Sequence, residues 1–194
     1  MKVCGLTGGV GMGKSTAARF LLEHGAQIVD TDEIAHQLVR PGQPALAKIK
    51  QEFGENIVTS TGELNRSELA RIVFTDAGAR KKLEAILHPP IREQWLVQVE
   101  TWRGEKHALA VVVIPLLFET RAESSFDKII CVACSADTQH GRLFARGWTT
   151  EQIRQRLAAQ MPAEEKIARA DFVVWTEGGM ENYPAQLERI LASL

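Results

Sequence analysis

The sequence lacks an apolar run long enough to cross a lipid bilayer, and it is poor in cysteine. A membrane-spanning helix needs about 20 apolar residues, whereas the longest run, 108–118, is about half that length and contains Pro115. Three cysteines among 194 residues indicate a reducing compartment rather than a disulfide framework. No secretory signal is visible, because the chain leads at once into a glycine-rich motif. We therefore expect a cytoplasmic protein with no membrane partner.

Metal-binding patterns of cysteine and histidine are missing as well. Cys131 and Cys134 form a CxxC pair in an apolar predicted strand. Side chains three residues apart on a strand face opposite sides of the sheet, so buried structural cysteines are the better interpretation. Four of the five histidines show no ligand spacing to one another: His24, His36, His107 and His140. A metal site built from protein ligands alone is not expected.

A strong excess of one charge is also absent. The formal net charge is −1 and the isoelectric point is about 6.5, which gives no support for a protein dedicated to nucleic acid or to anionic membranes. Residues 142–169 nevertheless contain six basic and three acidic side chains. A local basic segment in a mildly acidic chain suits a small polyanionic ligand.

What the sequence does contain is a phosphate-binding pattern. Gly8-x-x-x-x-Gly13-Lys14-Ser15 meets each fixed position of the P-loop. Glycines let the backbone close around an anion with consecutive N–H groups pointing inward, Lys14 supplies positive charge for the outer phosphates, and the Ser15 hydroxyl can hold Mg²⁺. A buried strand is predicted before the loop, and a helix whose positive N-terminus faces the loop is predicted after it. The pattern predicts a nucleoside triphosphate site.

Short apolar runs alternate with helical stretches along the chain, which is typical of an α/β fold with a parallel sheet. Strands are predicted at 2–7, 27–30, 109–114, 127–133 and 171–175. Helices are predicted at 14–24, 32–40, 43–53, 66–74, 78–103, 136–147, 150–160 and 183–193. About 75 residues between the second and third strands have little strand character, far more than a simple crossover requires. They predict a helical insertion, either a substrate-binding subdomain or additional structural helix.

Two carboxylates, Asp30 and Asp32, follow the second predicted strand. Ligands of an open α/β sheet gather at the carboxyl ends of its strands, where the P-loop also lies. One carboxylate there could orient and deprotonate an acceptor hydroxyl, while the other assists Mg²⁺ through water. Asp32 can instead be the N-cap of the following helix, and both roles can hold together.

Arg142 and Arg146 lie four residues apart on a predicted helix that Gly147 ends, so their side chains share one face. Two guanidinium groups there could neutralise charge on a transferring phosphoryl group. The alternative is an ordinary solvated helix face. His88 precedes Pro89 and Pro90, which should end or kink a helix, and by itself it is typical of a structural residue.

Taken in order, these motifs resemble the bacterial dephospho-coenzyme A kinases. The similarity covers nearly the whole chain and includes GLTGGVGMGKST, VDTDEIAHQLV, RPGQPAL, ELNRSELARIVF, LEAILHPPIR, PLLFE, QHGRLFARG and AAQMPAEEKIARADFVV. A P-loop alone occurs in a very large number of proteins. A P-loop followed by D-x-D, then L-H-P, then P-L-L-F-E is far more specific.

The resemblance implies a P-loop NTPase three-layer fold with a five-stranded parallel sheet, a helical substrate-binding insertion and a small helical lid. The core would comprise 1–32, 106–138 and 170–194, the coenzyme-binding insertion 33–105, and the lid 139–169. The implied activity is ATP-dependent phosphorylation of the 3′-hydroxyl of the ribose of dephospho-CoA, the last step of CoA synthesis. The implied ligands are ATP with Mg²⁺ and dephospho-CoA.

The resemblance also implies residue roles. Asp32 would be the base near the acceptor hydroxyl, and Arg142 and Arg146 would close over the phosphates. The ATP site would comprise Gly8, Gly9, Gly11, Met12, Gly13, Lys14, Ser15 and Thr16. The acceptor pocket would be lined by Asp32, Arg66, His88, Leu116, Leu117 and Phe118. Ser15 would hold Mg²⁺, with Asp30 or Asp32 acting through water.

Several positions depart from the family pattern. Met12 stands where serine is common, and its backbone N–H is retained. Ile114 ends a strand where an aspartate that binds Mg²⁺ is frequent. Coordination of Mg²⁺ would then depend on Ser15 and the two aspartates, or on Glu119. Gly147 replaces a frequent aspartate. Residues 175–179 replace the usual acidic residue and asparagine, so adenine contacts are expected to differ.

Two other functions stay open on sequence alone. A nucleoside monophosphate or sugar kinase would apply the same chemistry to a different acceptor, and the long helical insertion and the L-H-P segment argue against it. A nucleotide-dependent switch is the third possibility. Guanine-binding switches normally carry N-K-x-D, and no such tetrapeptide occurs in this sequence. The oligomeric state is not indicated.

Overall fold

In a computed structural model, which describes residues 1–177 and 182–194, five parallel strands form a sheet in the order β2-β3-β1-β4-β5. The predicted α/β fold is confirmed. The central strand β1 has β3 on one side, with Leu6 opposite Val113, and β4 on the other, with Leu6 opposite Ile130. The strand bounds are β1 Lys2–Thr7, β2 Gln27–Asp30, β3 Leu109–Val113, β4 Lys128–Ala133 and β5 Phe172–Trp175.

Helices connect these strands. Their bounds are α1 Lys14–Glu23, α2 Thr31–Leu38, α3 Pro44–Phe53, α4 Arg66–Thr75, α5 Ala77–Gly104, α6 Ala136–Ala145, α7 Thr150–Ala158, α8 Ala163–Arg169 and α9 Asn182–Ser193. Short 3-10 turns occupy Glu55–Ile57 and Glu123–Ser125. The sequence-based predictions missed α8, which begins after Pro162 at its N-cap.

The sequence predicts a helix over 78–103 that His88-Pro89-Pro90 should end or kink. The helix does not end there, because α5 contains both prolines in its interior. A proline has no N–H to donate, so the carbonyl groups four residues earlier, of Ala85 and Ile86, lose their helical partners. Neighbouring Leu83, Ile86 and Leu87 pack against a buried apolar cluster. Beyond the prolines, Trp95 is buried as well. Tertiary contacts on both sides therefore outweigh the local cost of the prolines.

The chain divides into two compact units, residues Met1–Asp30 with Val99–Leu194 and residues Thr31–Gln98. The first contains the sheet, and its core includes Leu6, Leu21, Val111, Ile130 and Leu187. The second is helical, and its core comprises Val39, Ile49, Ile57, Leu69 and Val73. The predicted insertion, 33–105, corresponds largely to the second unit, and the predicted lid, 139–169, lies within the first. The functional division of the chain stays a prediction.

Cys131 and Cys134 are buried, as expected for structural cysteines. Burial raises the pKa of the Cys131 thiol to about 11, so the reactive thiolate form is suppressed near neutral pH. In the part of the chain that the structure describes, no helix combines the length and the apolar character needed to span a membrane.

Candidate active site

The P-loop joins the end of β1 to the start of α1. Its backbone turns at glycines with positive φ, which is 143° at Gly8, 78° at Gly11 and 100° at Gly13. A side chain at Gly8 is excluded, because a Cβ there would lie 2.2 Å from the carbonyl oxygen of Val132. Glycine at this position therefore lets the loop leave β1 directly beside β4.

Side chains from three other segments hold the loop from its outer side. They donate to three carbonyl oxygens: Gln139 Nε2 to Val10 (2.7 Å), Thr176 Oγ1 to Met12 (3.0 Å) and the Tyr183 hydroxyl to Gly13 (3.1 Å). In a trans peptide the C=O and the following N–H point in opposite directions. The amides of Gly11, Gly13 and Lys14 are therefore turned towards the inner side of the loop. Those of Gly11, Gly13 and Ser15 donate to no acceptor among the described residues.

The remaining loop side chains complete this cradle. Lys14 Nζ donates to the carbonyl oxygens of Gly8 at 2.8 Å and Gly9 at 3.0 Å, which keeps the ammonium group at the loop. Met12 is buried, and its sulfur accepts from the Gly9 N–H at 3.2 Å. Ser15 is exposed and Thr16 is half-buried in the first turn of α1. A ring of inward amides beside a cation and a helix N-terminus fits a polyphosphate.

The same region offers few ligands for a divalent cation. Among the described residues, no group of three or more His, Cys, Asp or Glu side chains could hold a metal ion. Ile114 brings no oxygen to the end of β3, and Glu119 is engaged elsewhere, since its Oε1 accepts from Lys166 Nζ at 2.8 Å and from the Met161 N–H at 2.7 Å. Ser15 offers a hydroxyl in the first turn of α1, and Asp30 a carboxylate at the end of β2. This donor set fits Mg²⁺ only when phosphate oxygens supply further ligands.

The two arginines of α6 have different surroundings. Arg142 lies in the last turn, and its guanidinium donates to Thr176 Oγ1 at 2.8 Å, to Thr176 O at 2.6 Å and to Gly11 O at 3.5 Å. Arg146 is the C-cap residue and is exposed, and its side chain makes no hydrogen bond or ion pair to the described residues. The helix ends there because Gly147 has a φ of 80°. Arg142 thus contacts the outer, carbonyl side of the P-loop, whereas Arg146 faces solvent.

A cavity of about 400 Å³ lies within the helical unit. Its polar wall carries Asp32, His36 and Arg66, and the rest of the wall is mostly apolar, including Val39, Leu69, Val73, Phe74 and Leu87. Asp32 lies inside the first turn of α2, which starts at Thr31, so the N-cap interpretation is wrong. Arg66 is the first residue of α4, where the helix dipole disfavours a cation. A pocket with a carboxylate and a guanidinium on an otherwise apolar wall fits an anionic ligand with an apolar portion.

His88 does not line this cavity. It lies half-buried in α5, and burial lowers the pKa of its imidazole, although Glu84 opposes the shift. The imidazole is therefore predominantly neutral near pH 7. Its assignment to the acceptor pocket stays a prediction.

The segment 116–118 after β3 is largely internal. Leu116 is half-buried, whereas Leu117 and Phe118 are 0% and 3% exposed. Leu117 packs against Gly5, and Phe118 lies under the Arg169 guanidinium, 4.6 Å from the ring centre. Only Leu116 therefore presents partly accessible surface, and the acceptor-lining role of all three stays a prediction.

A P-loop between the central strand of a parallel sheet and its helix, with a carboxylate-bearing cavity in a helical unit, defines the class of P-loop kinases of small molecules. The family model for dephospho-CoA kinase matches residues 2–182. The chain belongs to the dephospho-CoA kinase family.

Individual relatives agree. A dephospho-CoA kinase of Bdellovibrio bacteriovorus is 41% identical over 191 residues, covering 98% of this chain and 95% of the relative. Among solved structures, TT1252 from Thermus thermophilus has a TM-score of 0.83 and 34% identity, covering 100% of this chain and 97% of that one. Dephospho-CoA kinase from Campylobacter jejuni has a TM-score of 0.71 and 27% identity, covering 98% and 96%.

Sequence reasoning missed several residues of this site. Three residues contact the P-loop from 129 to 170 residues away along the chain: Gln139, Thr176 and Tyr183. No local sequence pattern predicts such contacts. His36 had a signal, since it follows Asp32 by one helical turn and shares its face. Metal-ligand spacing gives no signal for this residue.

Proposed function

We propose that this chain transfers the γ-phosphoryl group of ATP to the 3′-hydroxyl of the ribose of dephospho-CoA. The observation that carries the proposal is a P-loop at the end of the central strand of a chain that matches the dephospho-CoA kinase family over residues 2–182. Relatives of that name cover nearly the whole chain at about 40% identity, which favours this acceptor over a nucleoside monophosphate or a sugar.

The reaction forms one P–O bond and breaks another. The acceptor 3′-oxygen bonds to the γ-phosphorus while the bond from the β–γ bridging oxygen to that phosphorus breaks, and its electron pair leaves with ADP. The hydroxyl proton passes to the Asp32 carboxylate. Because the transition state of phosphoryl transfer is loose, the protein contributes mainly by positioning and by stabilising charge.

On the donor side, we assign the triphosphate to the amides of residues 11–16 and to Lys14. Three hydrogen bonds on the outer side of the loop support this assignment. They hold the carbonyl groups of Val10, Met12 and Gly13 away from the anion. Lys14 needs only to exchange its bonds to the loop carbonyl oxygens for bonds to phosphate oxygens. Gly8 and Gly9 shape the entrance to the loop, and Gly8 is fixed by the close approach of Val132.

On the acceptor side, we assign the cavity of the helical unit to dephospho-CoA. Asp32 supports this assignment because it is an exposed carboxylate on the cavity wall. Arg66 supports it because a cation at the N-terminus of α4 is unfavourable for the helix, which an anionic ligand would offset. The apolar wall suits the less polar part of the acceptor. His88 and the segment Leu116–Phe118 are assigned to the acceptor by family resemblance.

The metal is proposed to be Mg²⁺, held by Ser15 and the phosphates, with Asp30 or Asp32 acting through water. Bound there, Mg²⁺ neutralises charge on the β- and γ-phosphate oxygens. We assign Arg142 and Arg146 to a lid, residues 139–169, over the phosphates, with the coenzyme-binding insertion at 33–105 and the core in the remainder. Arg146 is exposed and available for this role, whereas Arg142 must first leave Thr176. The proposed location is the cytoplasm.

The test compares two neighbouring acids of α2, Asp32 and Glu33. Both are exposed, but only Asp32 lines the cavity. Because general-base catalysis contributes about 10²–10⁴ in rate, Asp32→Asn is expected to lower kcat at least about 100-fold, while Glu33→Gln stays within about twofold of the parent. The assay couples ADP formation to dephospho-CoA at saturating ATP, and circular dichroism checks the fold. Near-normal kcat in Asp32→Asn would remove Asp32 from the role of base.

A further inference from the structure

Glu177 makes an unusual set of hydrogen bonds at the N-terminus of α6. Its Oε2 accepts from the Ser135 N–H at 2.8 Å, and its Oε1 accepts from the Ser135 hydroxyl at 2.7 Å and from the Thr138 hydroxyl. Ser135 is itself the N-cap of α6, and its hydroxyl accepts from the Thr138 N–H at 3.2 Å. A carboxylate with several donors at the positive end of a helix fixes the start of that helix firmly.

The helix fixed in this way contacts the tip of the P-loop. Gln139, one turn into α6, is buried and donates to Val10 O at 2.7 Å. Leu143 is fully buried and packs against Gly11, where a Cβ would lie 3.1 Å from its side chain. Arg142 reaches Gly11 O at 3.5 Å. The position of α6 therefore determines how residues 10 and 11 are held.

The residue before Glu177 holds the next part of the same loop. Thr176 donates from its hydroxyl to Met12 O at 3.0 Å and accepts two hydrogen bonds from Arg142. Two consecutive residues after β5 thus reach different elements, since Thr176 holds the loop and Glu177 holds the helix that braces it. Both belong to the segment in which this sequence departs from the family pattern, so family resemblance assigns Glu177 no role.

We propose that Glu177 is a positioning residue of the nucleotide site: by anchoring α6, it keeps the carbonyl groups of Val10 and Gly11 turned outward and the cradle amides turned inward. The physical link is the trans peptide. If Gln139 releases Val10 O, the peptide between Val10 and Gly11 can rotate, and the Gly11 N–H no longer points at the anion. The hydrogen bonds from the Ser135 backbone and from the two hydroxyl groups also hold the pKa of Glu177 down to about 2, so the carboxylate stays ionised near neutral pH. The proposal rests on the proposed function only in taking the P-loop as the ATP site.

Glu177→Gln tests this with little change of shape. The glutamine amide group places an N–H₂ opposite hydroxyl and amide donors, so α6 loses charge-assisted hydrogen bonds. The matched control is Asp171→Asn, which removes a carboxylate that likewise accepts from a backbone N–H, that of Ile129 at 2.8 Å, and from a side chain, that of Lys128. Titration calorimetry with ATP and Mg²⁺ gives Kd, and steady-state kinetics give KM for ATP and for dephospho-CoA.

We expect Glu177→Gln to raise both the Kd and the KM for ATP by about fivefold to tenfold, with the KM for dephospho-CoA unchanged, and Asp171→Asn to change neither. Thr138→Val, which removes one of the donors, should give about a twofold to threefold rise. It serves as the test if Glu177→Gln does not fold. Glu177→Asp should recover part of the ATP affinity.

Equal ATP affinity in Glu177→Gln and Asp171→Asn would overturn the proposal. A loss of melting temperature with no change in the Kd for ATP would also overturn it, because Glu177 would then be only structural. The calorimetric measurement needs no acceptor. If the parent protein binds ATP but does not phosphorylate dephospho-CoA, the proposed function fails while the role of Glu177 is still decided by the Kd values.

Discussion

Replacing Lys166 with methionine is expected to destabilise the first unit strongly, because this lysine is completely buried and charged. Its Nζ donates to Pro115 O at 2.7 Å and to Glu119 Oε1 at 2.8 Å. Without it, the Glu119 carboxylate keeps one donor among the described residues, the Met161 N–H, while its Oε2 is already buried there without a partner. Breaking a buried pair on one side costs about 3–5 kcal/mol. For a chain of this size, that corresponds to a fall in melting temperature of about 10 °C.

Two further variants separate burial from charge pairing. Lys128→Met removes a pair with the same 2.8 Å separation, Lys128 Nζ to Asp171 Oδ1, but both side chains are more than a third exposed. It should cost less than about 1 kcal/mol, because solvent screens exposed pairs. The double variant Glu119→Leu/Lys166→Met leaves no unpaired carboxylate and should recover at least about half of the loss. Urea unfolding followed by tryptophan fluorescence and thermal melts by circular dichroism measure all three.

The reasoning is refuted if Lys166→Met and Lys128→Met lose the same stability. It is also refuted if the double variant is no more stable than Lys166→Met, because the cost would then come from lost packing rather than from an orphaned buried charge.

The remaining predictions concern the loop, the pH and the metal. Gly8→Ala should abolish ATP binding in calorimetry, because a Cβ there would lie 2.2 Å from Val132 O at a φ of 143°; measurable affinity would contradict the close approach. The folded-state pKa of Glu177 is lowered from 4.5 to about 2, so its stabilisation should be complete above about pH 4.5 and decline as the pH falls towards 2. The difference in urea midpoint between the parent and Glu177→Gln should shrink over that window, and a constant difference would refute the assignment. Chelation by EDTA should stop phosphoryl transfer, and added Mg²⁺ should restore it; unchanged turnover in EDTA would contradict a metal-assisted reaction.

The strands and the P-loop were predictable from sequence because local patterns specify them. Each strand is a short apolar run, and Gly8, Gly13, Lys14 and Ser15 lie at the fixed spacing that an anion cradle needs. The family resemblance then indicated the class of acceptor. Residues close together in the sequence specify the strands and the P-loop, so local patterns were sufficient to predict them.

Other parts depend on contacts between distant residues and were not predictable in this way. The hydroxyl of Tyr183 contacts Gly13, and Lys166 contacts Pro115, across 170 and 51 residues of sequence. Pro89 and Pro90 indicated the end or a kink of a helix, yet α5 continues through them, and the residues before them pack against the buried cluster of the helical unit. Asp32 looked like an N-cap because helix starts are assigned poorly from sequence; α2 begins at Thr31, two residues before the start that such a cap requires.

The central claim is that this chain phosphorylates one particular hydroxyl of dephospho-CoA. The most direct measurement offers the enzyme, with ATP and Mg²⁺, the 2′-deoxy and the 3′-deoxy analogues of dephospho-CoA and follows the phosphorylated product by mass spectrometry. The account predicts turnover of the 2′-deoxy analogue and none of the 3′-deoxy analogue. Phosphorylation of the 3′-deoxy analogue, or turnover of nucleoside monophosphates in preference to dephospho-CoA, would contradict it.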